Sequence, residues 1–398
     1  MSTLDGTRVV VTGGAGFIGS HLVEELLRRG VRQVRVLDDM CNGSPANLAH
    51  LSDDPRLAVE VADIRDEPAV AAALDGVDVV FHLACLGVRH SLHDPFENHR
   101  VNAEGTLQLL ELARAEAVGR FVHVSSSEVF GTAQYAPMDE THPTWPETVY
   151  GASKLAGEAY ARAMYRTHGM PTVVARPFNT FGPRSHFEGD SGEVIPRTIV
   201  RALCGLPPLV FGDGEQTRDF MHVSDTAAGL ATLAETDAAV GRTVNLGTGR
   251  EITINRLCEV VTAAVGTPGL AAEHLEPRPG DVLRLIVDAR LMEELTGFRP
   301  AVTFEDGITD LVAWFRGRPE SPEEMLTRIE DRNWMVPATT CAVRRPGPRR
   351  SRRGDRDAHA PLVVTLRDRF ATPSAFGLAR SGAPAPEGVA LSDRALVA

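Results

Sequence analysis

Short apolar runs alternate with longer amphipathic stretches through the first 180 residues. Arg8–Thr12, Val34–Asp38, Ala58–Val61, Val77–His82, Phe121–Val124 and Thr172–Arg176 are such runs, several of them rich in valine. Continuous apolar runs of this length read as strands buried on both faces. Between them, Phe17–Arg29, Pro95–Glu116 and Tyr150–His168 carry apolar residues at helical spacing. Strands alternating with helices predict an α/β fold with a parallel, doubly wound sheet. Right-handed crossovers then gather the loops that follow the strands along one edge, where ligands bind in such sheets.

From about residue 180 the pattern loosens. Gly- and Pro-rich loops at 182–192, 205–214 and 277–281 separate shorter elements. One further run, Thr243–Asn245, is apolar enough to return to the main sheet. The division predicted is a dinucleotide-type domain over 1–180, a smaller C-terminal substrate-binding lobe over 181–330, and a tail over 331–398. Seven arginines fall between Arg344 and Arg356, followed by Ala/Pro/Gly/Ser-rich sequence, and that composition predicts disorder.

Charge sharpens this picture. The formal net charge is −12, but residues 336–398 contribute about +6, so the first 335 carry about −18. So acidic a body is a poor partner for nucleic acid. An anionic substrate would have to be held by a few locally placed arginines. No run is long and apolar enough for a membrane span, and polar Met1–Arg8 leads straight into a strand, against a secretory signal. The cysteines Cys41, Cys85, Cys204, Cys258 and Cys341 are scattered without metal-ligand spacing, so no metal site is expected and a reduced, cytoplasmic setting fits.

The first strand runs through Thr12-Gly13-Gly14-Ala15-Gly16-Phe17-Ile18-Gly19 into a helix. Gly14, Gly16 and Gly19 satisfy G-x-G-x-x-G, and Gly13, Gly16 and Gly19 satisfy the wider G-x-x-G-x-x-G. Such glycines allow a tight turn and let a pyrophosphate approach backbone N–H groups at a helix start, giving a Rossmann-type site. Asp38 follows at the end of the second strand, where a carboxylate accepts from both ribose hydroxyls and repels a 2′-phosphate. That favours NAD over NADP. Asp63, after the third strand, lies where it could reach the adenine amino group; the alternative is a solvated loop carboxylate.

Tyr150-Gly-Ala-Ser-Lys154 places a phenol and an ammonium one helical turn apart. A tyrosine is a weak base near neutral pH, and about 4 kcal/mol of differential stabilisation would bring its pKa from about 10 to about 7. A neighbouring ammonium and a positive nicotinamide would act in that direction. Upstream, Val124-Ser125-Ser126-Ser127-Glu128 begins at the end of the fifth strand, so a serine hydroxyl there could share the proton of a substrate alcohol with Tyr150.

The glycine turn, Asp38, His82-Leu83-Ala84, Asn102, the Ser126/Tyr150/Lys154 set, Arg176-Pro-Phe-Asn179, Gln216-Thr-Arg218-Asp219-Phe220 and Asn245-Leu-Gly247 occur in this order. This set resembles the NAD-dependent nucleotide-sugar epimerase/dehydratase family, the extended short-chain dehydrogenases, over about residues 7–315. The resemblance implies an NAD that is reduced and reoxidised within each turnover. It places Phe17, Ile18, Ile64, Leu83, Ala84 and Asn102 beside the cofactor with the residues already named. Ser127, Asn179, Arg218 and Arg278 fall where the family contacts a nucleotide diphosphate sugar. A homodimer through the helices at 95–117 and 150–168 is implied as well.

The resemblance also implies a shared first step, in which Tyr150 takes the sugar 4-hydroxyl proton as the C4 hydride passes to NAD. From that 4-keto sugar a 4,6-dehydratase, a 4-epimerase and a UDP-glucuronate decarboxylase diverge. Glu128 suits removal of the C5 proton, and Ser-Glu at 127–128 resembles dehydratases of the GDP-mannose type. Decarboxylases have a similar pair, and dTDP-glucose dehydratases carry Asp-Glu. The reading favoured is an NDP-hexose 4,6-dehydratase, a lyase, with the 4-epimerase next; a non-catalytic NAD-binding scaffold is the reading from outside enzymology. Loops 86–94 and 182–195, with Arg89, His90 and Glu193, are where base and sugar would be chosen.

Overall fold

The computed structural model describes residues 3–189, 191–277 and 283–330. Its main sheet contains β1 (Arg8–Thr12), β2 (Gln33–Asp38), β3 (Leu57–Val61), β4 (Val79–His82), β5 (Arg120–Val124) and β6 (Thr172–Pro177), joined by the strand Thr243–Leu246. The seven strands lie in the order Thr243–Leu246, β6, β5, β4, β1, β2, β3. Every neighbouring pair is parallel. Connection order reverses between β1 and β4, which opens a crevice beyond their C-terminal ends.

The apolar strand runs are explained by burial on both faces. Along β1, Val9 and Val11 pack with Leu22, Val23 and Leu26 of the helix Phe17–Arg28. Val10, between them, faces the opposite layer with Val80, Phe121, Leu110 and Met164. The run Thr243–Asn245 does return to the sheet, pairing with β6.

Two expectations are corrected. The third strand is an exposed edge, with Val59 45% and Val61 67% exposed. A valine run signals a strand, but not which strand is outermost. The stretch 95–116 is not one α-helix. It divides into Pro95–His99, a π-helical segment Arg100–Gly105, and Thr106–Ala115. The widened turn holds Asn102, whose amide grips both backbone groups of Leu86: Leu86 N donates at 2.8 Å and Leu86 O accepts at 2.9 Å. Single-turn π segments of this kind gather at functional sites.

Beyond β6, the helices Val194–Leu203, Ile254–Val265 and Phe304–Arg316 share a second core built on Ile199, Leu257, Val261, Ile308, Leu311 and Phe315. Among the described residues no helix is long and apolar enough to cross a membrane. The expected tail over 331–398 lies outside the described residues.

Candidate active site

A cleft of about 930 Å³ opens at the C-terminal edge of the sheet. Gly13, Gly16, Phe17, Ile18 and Gly19 form one end of it, with Asp38, Asp63, Ile64, Leu83 and Ala84 around them. Gly13 has φ +70°, and a Cβ there would lie 2.7 Å from Ala84 N. A Cβ on Gly19 would lie 2.1 Å from Gly13 O. These two positions therefore require glycine for close approach of backbone to backbone. Gly14 instead packs toward Val36, so the wider glycine pattern is the one that meets the cleft. The helix Phe17–Arg28 begins at Gly16 without a side-chain cap. Its first-turn N–H groups suit an anion such as a pyrophosphate.

Asp38 is buried and accepts from Ala15 N and Met40 N, each at 2.9 Å. Burial pushes its carboxyl above the ordinary range, and those two hydrogen bonds oppose the rise. Its carboxylate both braces the glycine turn and faces the cleft. Asp63 also lines the cleft, but Arg65 grips it through Nη2 at 2.6 Å and Nε at 3.0 Å. It is ion-paired with Arg65 while about a third of the side chain, 33%, stays exposed. Asn102 is not among the lining residues; it acts on the cleft through Leu86 and through Ser153, 3.2 Å away.

At the far end stand Ser126, Ser127, Glu128, Tyr150, Lys154 and Asn179. Thr148 caps the helix Val149–His168 through a 3.0 Å bond from Gly151 N. A Cβ on Gly151 would lie 2.5 Å from Glu128 O, so glycine lets the Ser126–Glu128 turn rest against the first turn of the helix. That contact places Ser126 in the same part of the cleft as Tyr150 and Cys85. Lower down, Glu158 is fully buried, accepts from Ser125 Oγ at 2.7 Å and takes a forked pair from Arg176 at 2.8 and 2.7 Å. These bonds lock the helix register against β5 and β6.

Burial dominates the electrostatics. It pushes the Tyr150 phenol above its ordinary value, Cys85 adds to the rise, and the Ser126 hydrogen bond opposes it. Burial also depresses the Lys154 ammonium, against Cys85 and Glu158. Below it lie His82, pushed down to about 3 by burial and Lys154, and His123, pushed well below its ordinary value by the same causes. Both are neutral at physiological pH. Burial likewise raises Glu128, opposed by Arg218 and Arg89.

Ser127, Asn179, Arg89, His90 and Glu193 line the cleft. Arg218 does not; it lies in the strand Thr217–Arg218, donates to Thr217 O at 2.8 Å, and reaches Glu128 through its charge. Arg278 lies outside the described residues. Cys85 and Glu158 were not anticipated, since a lone thiol after a strand and a helical glutamate carry no distinguishing spacing. One signal was available: Lys154 is the only lysine among 41 lysines and arginines. A second cavity, of about 870 Å³, shares only Phe220 with this one and contains none of the predicted residues.

Fold and cleft together define a dinucleotide-binding protein whose cleft brings Ser126, Tyr150 and Lys154 together. Comparison with known proteins narrows the class. A family model described as GDP-mannose 4,6 dehydratase matches residues 10–311. The chain is 38% identical over 317 residues to a dTDP-glucose 4,6-dehydratase of Actinoplanes sp., covering 78% of this chain and 98% of that protein. It is 36% identical over 312 residues to a putative UDP-glucose 4-epimerase of Methanocaldococcus jannaschii, covering 77% and 98%. A crystal structure of a dTDP-glucose 4,6-dehydratase from Streptomyces venezuelae, with NAD and TYD bound, is similar with a TM-score of 0.73 at 35% identity, covering 78% and 97%. The chain belongs to the NAD-dependent nucleotide-sugar epimerase/dehydratase family.

Proposed function

We propose that the chain is an NDP-hexose 4,6-dehydratase that works through a 4-keto sugar. Glu128 carries this reading: a carboxyl that lines the cleft with Ser126 and Tyr150, its proton affinity raised by desolvation there. Gly13, Gly16 and Gly19 with Asp38 would hold NAD, which supplies a hydride acceptor and a positive charge beside Tyr150. That charge acts against the burial that keeps the phenol protonated.

Tyr150 takes the 4-hydroxyl proton while Ser126 shares its hydrogen bond, and the hydrogen on C4 leaves as hydride. Lys154 holds the phenol and screens its negative charge. The ketone acidifies C5–H, and Glu128 removes that proton as the 6-hydroxyl departs with a proton as water. Hydride returns to C6 and a proton to C5. The sum is loss of one water with no net oxidation. Asn179 at the cleft and Arg218 beside Glu128 are proposed to contact the nucleotide-sugar end, with Arg278.

A second reading is a 4-epimerase. Its support is Ser127, a residue without acid beside Glu128, together with the likeness to the putative UDP-glucose 4-epimerase. Glu128→Gln separates the two. The dehydratase account expects enzyme-bound NADH still to form while solvent exchange at C5 of the sugar stops. Undiminished C5 exchange in the variant would remove Glu128 from the role of base.

A further inference from the structure

We propose that His82 is a positioning residue for the reaction. Its ring joins the glycine-turn side of the cleft to the helix that carries Tyr150, through one directed series of buried hydrogen bonds. The inference rests on the cleft being an NAD-dependent nucleotide-sugar site.

Thr12 and His82 stand opposite each other on the parallel strands β1 and β4. His82 is 0% exposed, so both ring nitrogens must find their partners within the protein. Nδ1 lies 2.7 Å from Thr12 Oγ1, and Nε2 lies 2.8 Å from Thr106 Oγ1. Burial keeps the ring neutral, so one nitrogen carries the proton and the other accepts. The neighbours decide which. Thr106 gives its one hydroxyl hydrogen to Asn102 O at 2.7 Å, so toward the ring it can only accept. The ring proton is therefore on Nε2. Nδ1 then accepts, and Thr12 is its donor. The Thr12 oxygen in turn accepts from Ala84 N at 3.3 Å. The opposite tautomer would demand from Thr106 a hydrogen already held by Asn102 O.

Both ends of the series reach the cleft. Ala84 lies against the glycine turn, where a Cβ on Gly13 would be 2.7 Å from Ala84 N. At the other end, Asn102 holds the backbone of Leu86, and its amide donates to Ser153 Oγ at 3.2 Å. The Ser153 hydroxyl donates to Tyr150 O at 2.8 Å. Leu83, Ala84, Cys85 and Leu86 line the cleft, and His82 does not. Its effect on the reaction passes through the groups it aligns. The hydride step needs the cofactor wall and the Tyr150 helix in one fixed register, and a misplacement of about 1 Å costs about a hundredfold in rate.

The test uses the full chain with NAD and measures conversion of UDP-glucose, dTDP-glucose, GDP-mannose and UDP-glucuronate. Thr12→Val and Thr106→Val keep the side-chain shape, and each removes one partner of the ring. Each is expected to lower kcat about tenfold while KM for the preferred nucleotide sugar stays within about threefold. Thr12→Ser and Thr106→Ser keep the hydroxyl and are expected to stay within about threefold of wild-type kcat. Because one ring joins the two hydroxyls, the double valine variant is expected to lose little more than either single one, instead of about a hundredfold. Nitrogen-15 NMR of histidine-labelled protein, with the signal identified by its loss in His82→Gln, is expected to show a neutral ring protonated at Nε2 from about pH 5 to about pH 8. Unchanged kcat in both single valine variants, losses that multiply in the double variant, or a ring protonated at Nδ1 overturns the proposal and leaves the nucleotide-sugar reading intact. A wild-type protein that converts none of the four nucleotide sugars overturns both.

Discussion

At position 154 the chain places its only lysine, while every other basic side chain of this type is arginine. Arginine serves the ion pairs elsewhere, as in Arg176 with Glu158 and Arg65 with Asp63. A buried site beside a phenol asks for something else: a compact ammonium whose charge responds to its surroundings. Lys154 is 1% exposed, so a guanidinium there would have to displace its neighbours. Lys154→Arg is expected to keep the fold and to lose about a hundredfold or more in turnover, measured as conversion of the preferred nucleotide hexose. The single lysine also gives one side-chain signal in lysine-selective nitrogen-15 NMR. That signal should titrate below the ordinary lysine value, since burial outweighs Cys85 and Glu158; titration at or above it would contradict the electrostatics described here. Ser126, Glu128, Tyr150 and Lys154 were legible as residue types at fixed spacing. The engagement of Asp63 by Arg65 was not, because a carboxylate two residues from an arginine is as often solvated as paired.

Elements, in this fold, set the alignment of those groups. The helix Val149–His168 is capped by Thr148, pinned through Glu158 to Ser125 and Arg176, and relieved at Gly151 where the Ser126–Glu128 turn rests on it. Gly151→Ala would force a Cβ to within 2.5 Å of Glu128 O, so the turn must move. A displacement of about 1 Å is enough to cost about a hundredfold in rate. The variant is expected to retain NAD, measured by cofactor content of the purified protein, and to lose turnover by that order. Full activity would show that the turn does not position Ser126. Helical periodicity identified the stretch 95–116, yet it could not register the widened turn at Arg100–Gly105, since one extra residue barely disturbs the apolar stripe. The edge position of β3 was equally hidden, because strand order is a property of the whole sheet.

Over the whole molecule, the apolar runs and helical stripes foretold a parallel sheet with ligand-bearing loops along one edge, and the return of Thr243–Leu246 completes it at seven strands. The glycine turn and the Ser–Tyr–Lys set then meet in a single cleft although Ser126 lies 107 positions beyond Gly19 in the chain. Less legible was the balance within that cleft, where burial outweighs the nearby arginine charge for Glu128 and Glu193 and acts with the neighbouring acidic groups on Tyr150. Sequence order lists the charges but not the solvent they lose. The measurement that bears most directly on the central claim is proton NMR of UDP-, dTDP- and GDP-hexoses and UDP-glucuronate incubated with purified protein in deuterated water, without added NAD. A new C6 methyl signal with deuterium at C5 is the result expected of a 4,6-dehydratase. A sugar inverted at C4 that keeps its C5 hydrogen would contradict that account and identify a 4-epimerase.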